Sequence, residues 1–332
     1  MKKKELLTLF GSICLALVIV ALPLMAACAK PAPPAFPAKT ITWIVPYGPG
    51  GGTDILSRCY GEGMETELEM GIIVKNMPGA AGRMGWNTLH KTEPDGYTIG
   101  AYLIPGGIVG QLVHETIYDF REVSWLGSMR RSDYVLSLPK DSPFQSIEDL
   151  IKADKPVRIA ELGVGASSWV AAVLKAETIG YPHTFVTGYA NHPALLVAML
   201  KGEGDIATLT LDTPATLDAF KAGDIRLLFT TGKERDPRAP EVPTVAEAGY
   251  PELAGLGLYF STGGPPGMPD DILKILRDAF MKAGQGEITQ SMLKKTGMPG
   301  TPIPGDELTK IVMELFPIFE ARAELFKKAI GG

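Results

Sequence analysis

The sequence predicts an α/β protein of two lobes, each a mainly parallel sheet flanked by helices. Three observations carry that expectation. Short apolar runs alternate with helical stretches from Thr40 onward. Glycine-rich or small-residue turns join strands to helices in both halves, at Val45 to Arg58 and Asn76 to Trp86 in the first and at Gly163 to Ser168 in the second. About 290 residues remain beyond a leader and a linker, more than a typical single domain.

The first 27 residues read as an export signal. Lys2, Lys3 and Lys4 make a basic start, and Leu6 to Leu24 is almost wholly apolar before Ala26-Ala27-Cys28. Met25-Ala26-Ala27-Cys28 resembles a bacterial lipobox, with Met25 where leucine is usual, which makes Cys28 the expected lipidation site. A cut after Ala29 also fits a small-x-small rule, and an uncleaved anchor is a third reading, because the apolar run approaches the roughly 20 residues that span a bilayer. Both secreted readings place the folded part outside the cytoplasm. Residues 28–39 then form a proline and alanine tether that cannot sustain a hydrogen-bond ladder.

The elements follow in order. Thr40 to Tyr47 reads as a buried strand and Asp54 to Leu68 as a helix capped by Thr53 or Asp54. Ile72 to Lys75 is a second strand, Gly82 to Lys91 a helix after the turn Asn76 to Trp86, and Pro94-Asp95-Gly96 turns into the strand Tyr97 to Ile104. The pattern restarts with the strand Val157 to Leu162, the turn Gly163 to Ser168 and the helix Trp169 to Ile179. Strands at His183 to Val186, Ile206 to Leu211 and Ile225 to Thr230 alternate with helices at Pro193 to Lys201 and Pro214 to Ala222. From Asp270 the chain is mostly helical, with the stripe Ile272, Leu273, Leu276 and Phe280, and such a tail is expected to pack on the first lobe. Crossings near Tyr134 to Ser142 and Leu256 to Thr262 divide the chain into lobe one, 40–137 with 258–332, and lobe two, 138–257.

Charge and composition exclude several functions. The net charge is −5. Loss of the leader removes three lysines and one glutamate and leaves no basic field to collect nucleic acid or acidic lipid. Cys59 is the only thiol beyond Cys28, so no disulfide forms within the body; it sits on the apolar stripe Ile55, Leu56, Cys59, Tyr60 and reads as a small buried hydrophobe. His90, His114, His183 and His192 share no close spacing that would build a metal site.

The glycine-rich turns VPYGPGGGTDILSR and NMPGAAGRMGW are the candidate chemistry. A helix start leaves amides without partners and carries partial positive charge, and glycine lets an anion approach them. Neither first turn nor third supplies a P-loop lysine, and no acid stands where a dinucleotide ribose would want one. Ser167 or Ser168 with His192 and Asp212 could make a hydrolase, but no G-x-S-x-G elbow occurs and a serine at a helix start is commonly a cap.

The ordered motifs FPAKTITWIVPYGPGGGTD, NMPGAAG and PDGYTI, followed by GVGASSWVAA, ALLVAMLKGEGD and RAPEVPTVAEAGYP, resemble the extracytoplasmic solute receptors of tripartite tricarboxylate transporters, the Bug family. The resemblance covers nearly the whole chain after the leader. It implies a two-lobed periplasmic-binding-protein fold, type II-like, that closes on a small carboxylated solute and delivers it to a two-component membrane permease, with no cofactor and no oligomer. It assigns Tyr47, Gly50, Gly51, Gly52, Thr53 and Asp54 to one pincer and Gly79, Ala80, Ala81 and Gly82 to the other, with Asp54 expected to cap its helix rather than touch the anion. Lobe two would add Gly165, Ala166, Ser167 and Ser168. Two departures fall there: Val186 to Asn191 displaces a tyrosine to Tyr189 and brings Asn191, and the chain is about two residues longer around Leu209 to Pro214, where Asp212 either meets a ligand amino group or caps a helix. The solute is thus a dicarboxylate, an amino acid or an aromatic acid. A co-receptor presenting its ligand to a membrane kinase is the alternative of a different class.

Overall fold

The computed structural model describes residues 36–298 and 300–331. The leader, Cys28 and most of the tether lie outside them. The first strand among the described residues is β1 (Ile41–Val45), where every side chain but one is buried. Helix α1 (Gly52–Leu68) returns the chain to β2 (Ile72–Asn76), which pairs parallel to β1 with Ile41 opposite Ile72. After helix α2 (Arg83–His90), β3 (Thr98–Ile104) joins the other edge of β1, also parallel. Two β-α-β crossovers thus leave the turns that follow β1 and β2 at one end of the sheet.

Two elements between β3 and the second half carry no simple sequence period. Helix α3 (Gly106–Val113) is almost wholly apolar, and β4 (Ser124–Pro139) is sixteen residues long. The first part of β4, Ser124 to Asp133, pairs with a late strand, β9 (Gly257–Gly264); the last part, Tyr134 to Pro139, pairs with β7 (Ile206–Thr210) and β8 (Ile225–Thr230). One strand therefore belongs to two sheets. In the second sheet β5 (Val157–Glu161) runs parallel to β6 (His183–Thr187) and to β7, with α4 (Ile147–Ile151) before it and α5 (Ser167–Ile179), α6 (His192–Leu200) and α7 (Pro214–Lys221) as connections.

The parallel pairs are those the crossovers produce, whereas β4, β8 and β9 add antiparallel pairings. β9 separates β3 from β4 in the sheet and runs against both. The last helices, α8 (Asp270–Gln285), α9 (Glu287–Lys295), α10 (Gly305–Glu320) and α11 (Ala323–Gly331), include a short pairing of β10 (Ile303–Pro304) with β4. α8 and α9 pack on α1: Tyr60 stacks on Phe280 with ring centroids 5.0 Å apart, and Thr289 Oγ1 donates to Cys59 O at 3.2 Å. Only glycine fits at Gly63, since a Cβ there would lie 2.2 Å from Thr289 Oγ1.

Two cores hold the turns in place. Trp86, Tyr102, Phe120 and Trp125 interlock edge to face beneath the second turn, with Trp86 5.2 Å from Phe120 and its Nε1 donating to Ala101 O at 3.0 Å. In the second sheet Val135, Leu195, Met199, Leu209 and Leu227 form an aliphatic core under α6 and α7. Phe326 of α11 is fully buried and lies 6.2 Å from Trp169 of α5, which ties the chain terminus to the second half.

Candidate functional site

The first turn is a helix start braced from behind. Gly50 adopts φ +78°, a conformation glycine takes without cost, and Gly51 caps α1 with no side-chain bond of its own. The first amide of that turn to be satisfied within the helix is Ile55 N, donating to Gly51 O at 3.0 Å. Geometry leaves the preceding amides, Gly52 to Asp54, without intrahelical acceptors, and the helix dipole makes that end electropositive. Asp54 stands behind the turn: its carboxylate accepts from Gly50 N at 2.9 Å, Asn76 Nδ2 at 2.9 Å and Arg58 Nε at 3.1 Å. Burial works to raise its pKa, but the bonds from Arg58, Gly50 and Asn76 outweigh it and hold the carboxyl below the usual range. It braces the turn through Gly50 instead of capping the helix.

The second turn is bent throughout. Gly79, Ala80, Ala81 and Gly82 all have positive φ, at 152°, 48°, 54° and 98°, and two alanines in the left-handed region are held there by their surroundings. Tyr47 Oη donates to Ala81 O at 3.3 Å and links the two turns. Burial pushes the Tyr47 hydroxyl far above its usual pKa, so it remains a neutral donor. Arg83, the one cationic side chain of this turn, does not line the cleft described below: a Cβ on Gly165 would lie 3.4 Å from its Nη1 and 4.0 Å from His114 Nε2.

A cleft of about 210 Å³ opens at the first turn. Tyr47 to Thr53 line one side, Ala190 to Pro193 and Thr210 with Asp212 to Pro214 the other, and Phe260 of β9, Met298 and Ser132 of β4 close it. It thus gathers Tyr47, Gly50, Gly51, Gly52, Thr53, Asn191 and Asp212 of the residues expected from sequence. The remaining ones lie elsewhere. Gly79 to Gly82 reach the cleft only through Tyr47, and Tyr189 Oη donates to Glu203 Oε2 at 2.9 Å on the surface. Gly165 and Ser167 pack against α3, where Ser167 Oγ accepts from Gly106 N at 2.9 Å. Ser167 is therefore a cap, but of α3 rather than of its own helix, whose cap is Ala166. Ser168 is buried near Glu161, a carboxyl whose pKa burial raises, and Lys175, whose pKa burial lowers and whose Nζ donates to Thr208 Oγ1 at 2.9 Å.

Asn191 caps α6, accepting from Ala194 N at 2.9 Å. Asp212 neither caps α7, which starts from Thr213, nor stands free: Arg238 Nη1 lies 2.8 Å from one of its oxygens and Arg130 Nη2 pairs with the other. Arg130 is only 2% exposed and comes from β4, so the pair joins the shared strand to the loop after β7. His192 also lines the cleft; burial pushes its pKa down to about 4, which leaves a neutral imidazole at pH 7. Ser167 and Ser168 do not line the cleft that holds His192 and Asp212, so no triad is assembled in it. Ser132, Phe260, Met298, Arg130 and Arg238 are the residues sequence reasoning missed. One signal was present: a charged residue, Arg130, inside the apolar run of β4 must be paired.

Strand-and-helix halves joined through β4 and β9, with a cleft at the turns that follow the strands, define a periplasmic-binding-protein fold. The chain belongs to the tripartite tricarboxylate transporter family of receptors, whose family model matches residues 56–316. Protein BugT of Bordetella pertussis is 27% identical over 278 residues, 81% of this chain and 82% of that protein. A protein from the tcbD-tcbE intergenic region of Pseudomonas sp. strain P51 is 28% identical over 278 residues, 80% of this chain and 79% of its own length. Among solved structures, MatC of Rhodopseudomonas palustris with bound malate superposes with a TM-score of 0.75 at 22% identity, covering 87% of this chain and all of that one, 100%. Rpa4515 of R. palustris with adipate gives 0.72 at 25% identity, covering 89% of this chain and 98% of its own.

Proposed function

We propose that this receptor works outside the cytoplasm, held to the membrane through Cys28, and captures a small carboxylate-bearing solute for a two-component membrane permease. Lobe one, 40–137 with 258–332, would present the amides of the first turn, and lobe two, 138–257, would close over the solute with Asn191 and the segment around Asp212. The observation that carries the reading is the start of α1 opening into a 210 Å³ cleft with Gly51 and Gly52 at its wall. An anion there meets aligned amides away from bulk water, and each charge-assisted hydrogen bond contributes about 1.5 to 3 kcal/mol. Three such bonds sum to roughly 4.5 to 9 kcal/mol, so micromolar affinity against the ordering cost also draws on burial of the solute's body. No bond is made or broken. The relatives solved with malate and with adipate support a carboxylate as the ligand class. The test is calorimetry on protein refolded after denaturation to strip copurified ligand, against monocarboxylates, dicarboxylates and amino acids. Saturable binding of an unaltered acid is expected; heat from turnover, or no acid bound at all, would reject the receptor reading.

A further inference from the structure

Among the described residues the cleft has one pole for a negative charge. Its described lining contains no lysine or arginine. The charged group that does face it, Asp212, is an acid already engaged by Arg130 and Arg238, and His192 is neutral at pH 7. A helix start carries the equivalent of about half a positive charge, enough to favour one carboxylate and not two in a site shielded from water. The nearest unused cation of the turns, Arg83, faces Gly165 and His114 instead.

The rest of the wall supplies no positive charge: its polar side chains Thr53, Asn191, Thr210 and Thr213 are uncharged, and most of the others are apolar. Ile55, Leu103, Leu162, Leu258, Phe260 and Met298 surround the space beyond the first turn. A second carboxylate placed among them would lose its hydration without a counter-charge, at a cost of several kcal/mol. One uncharged polar group of this lining is buried and unpaired among the described residues. Ser132, 2% exposed and on the lining, has a hydroxyl oxygen with no hydrogen-bond partner among the described residues. A buried hydroxyl left unpaired costs about 1 to 3 kcal/mol, which a ligand group meeting it would recover.

We infer that the solute is a monocarboxylic acid with an apolar body, aromatic or branched, whose further polar group, where it carries one, is an uncharged hydroxyl or carbonyl that meets Ser132. This rests on the receptor reading above and sharpens it. The body would lie between Phe260 and Met298, with the carboxylate on the amides of Gly51 to Thr53.

The experiment is a matched series on the refolded full chain, by calorimetry: benzoate, 4-hydroxybenzoate and phenylacetate against malate, adipate and terephthalate. At least one of the monocarboxylates is expected to bind at least tenfold more tightly than every dicarboxylate. Ser132→Ala should abolish any preference for 4-hydroxybenzoate over benzoate, and Arg83→Met should leave the monocarboxylates unaffected. A dicarboxylate that binds more tightly, or binding that collapses in Arg83→Met with thermal unfolding unaltered, overturns the inference while the receptor reading stands. If no carboxylate of either kind binds, both fall together.

Discussion

At the scale of single residues, Gly52 is the position where the proposed anion site can be closed without disturbing the fold. Its φ is helical, and a Cβ built there would point at Met298 Cε, 3.2 Å away, and at Phe260, 3.6 Å away, both on the cleft wall. A flexible methionine end can yield, so Gly52→Val should fold and keep its unfolding temperature within a few degrees. Carboxylate affinity should fall about 100-fold, the loss of one or two charge-assisted bonds. Calorimetry with any bound acid checks both halves of this expectation. His192 makes a prediction about pH. Its native pKa of about 4 lies below the ordinary 6.5, so the unfolded chain binds the extra proton between those values. Its contribution to stability is complete above pH 6.5 and is lost as pH falls toward 4. Glu161, raised by burial, slopes the other way over part of this window, so the contribution is read as a difference. Denaturant midpoints of the parent minus His192→Gln should decline between pH 6.5 and 4 and stay level above 7; a level difference throughout removes the assignment.

Among the elements, β4 does what neither glycine turn can. It pairs with β9 on one side of Asp133 and with β7 and β8 beyond it, and it delivers Ser132 to the cleft and Arg130 to Asp212. Among the described residues Arg130 Nε and Nη1 are buried without partners, so within them this guanidinium depends on Asp212 for its ion pair. Breaking a buried pair from one side strands a charge, which costs more than the pair itself contributes. Asp212→Ala should therefore destabilise the protein by about 3 kcal/mol, whereas adding Arg130→Met to it should restore much of the loss. Urea unfolding of the two variants measures this, and equal destabilisation would show that the pair carries no such coupling. The same element explains a limit of sequence reading. Periodicity within β4 says strand, but the switch of partners at Asp133 and Tyr134 depends on strands more than seventy residues away.

Across the whole molecule, the strand-helix alternation, the turns after the first strands of each half and the helical tail were all legible, because each is written in local apolar spacing and in glycine. Helix α3 was not legible: eight nearly uniformly apolar residues show no amphipathic face. Nor was the role of the third turn. Ser167 has the composition of a cap and is one, yet the helix it caps, α3, begins sixty-one residues earlier. Close approach decides it, because Gly106 lies so near Gly165 and Ser167 that a Cβ would come within 2.7 Å of Ser167 Oγ.

What the sequence determined by itself is the class of fold, the family and the helix start proposed as the anion pole, since amides at a helix start follow from backbone geometry and from glycines at Gly50, Gly51 and Gly52. What only the tertiary structure decided is which other residues face that pole. Tyr189 and the second and third turns were drawn away by surface, backbone and helix-cap partners of their own, while Ser132, Phe260 and Met298 arrived from strands and loops with no motif to announce them. The physical reason is that a helix dipole is local to its own residues, whereas the walls that desolvate an anion are assembled from segments distant in the chain and joined only by packing.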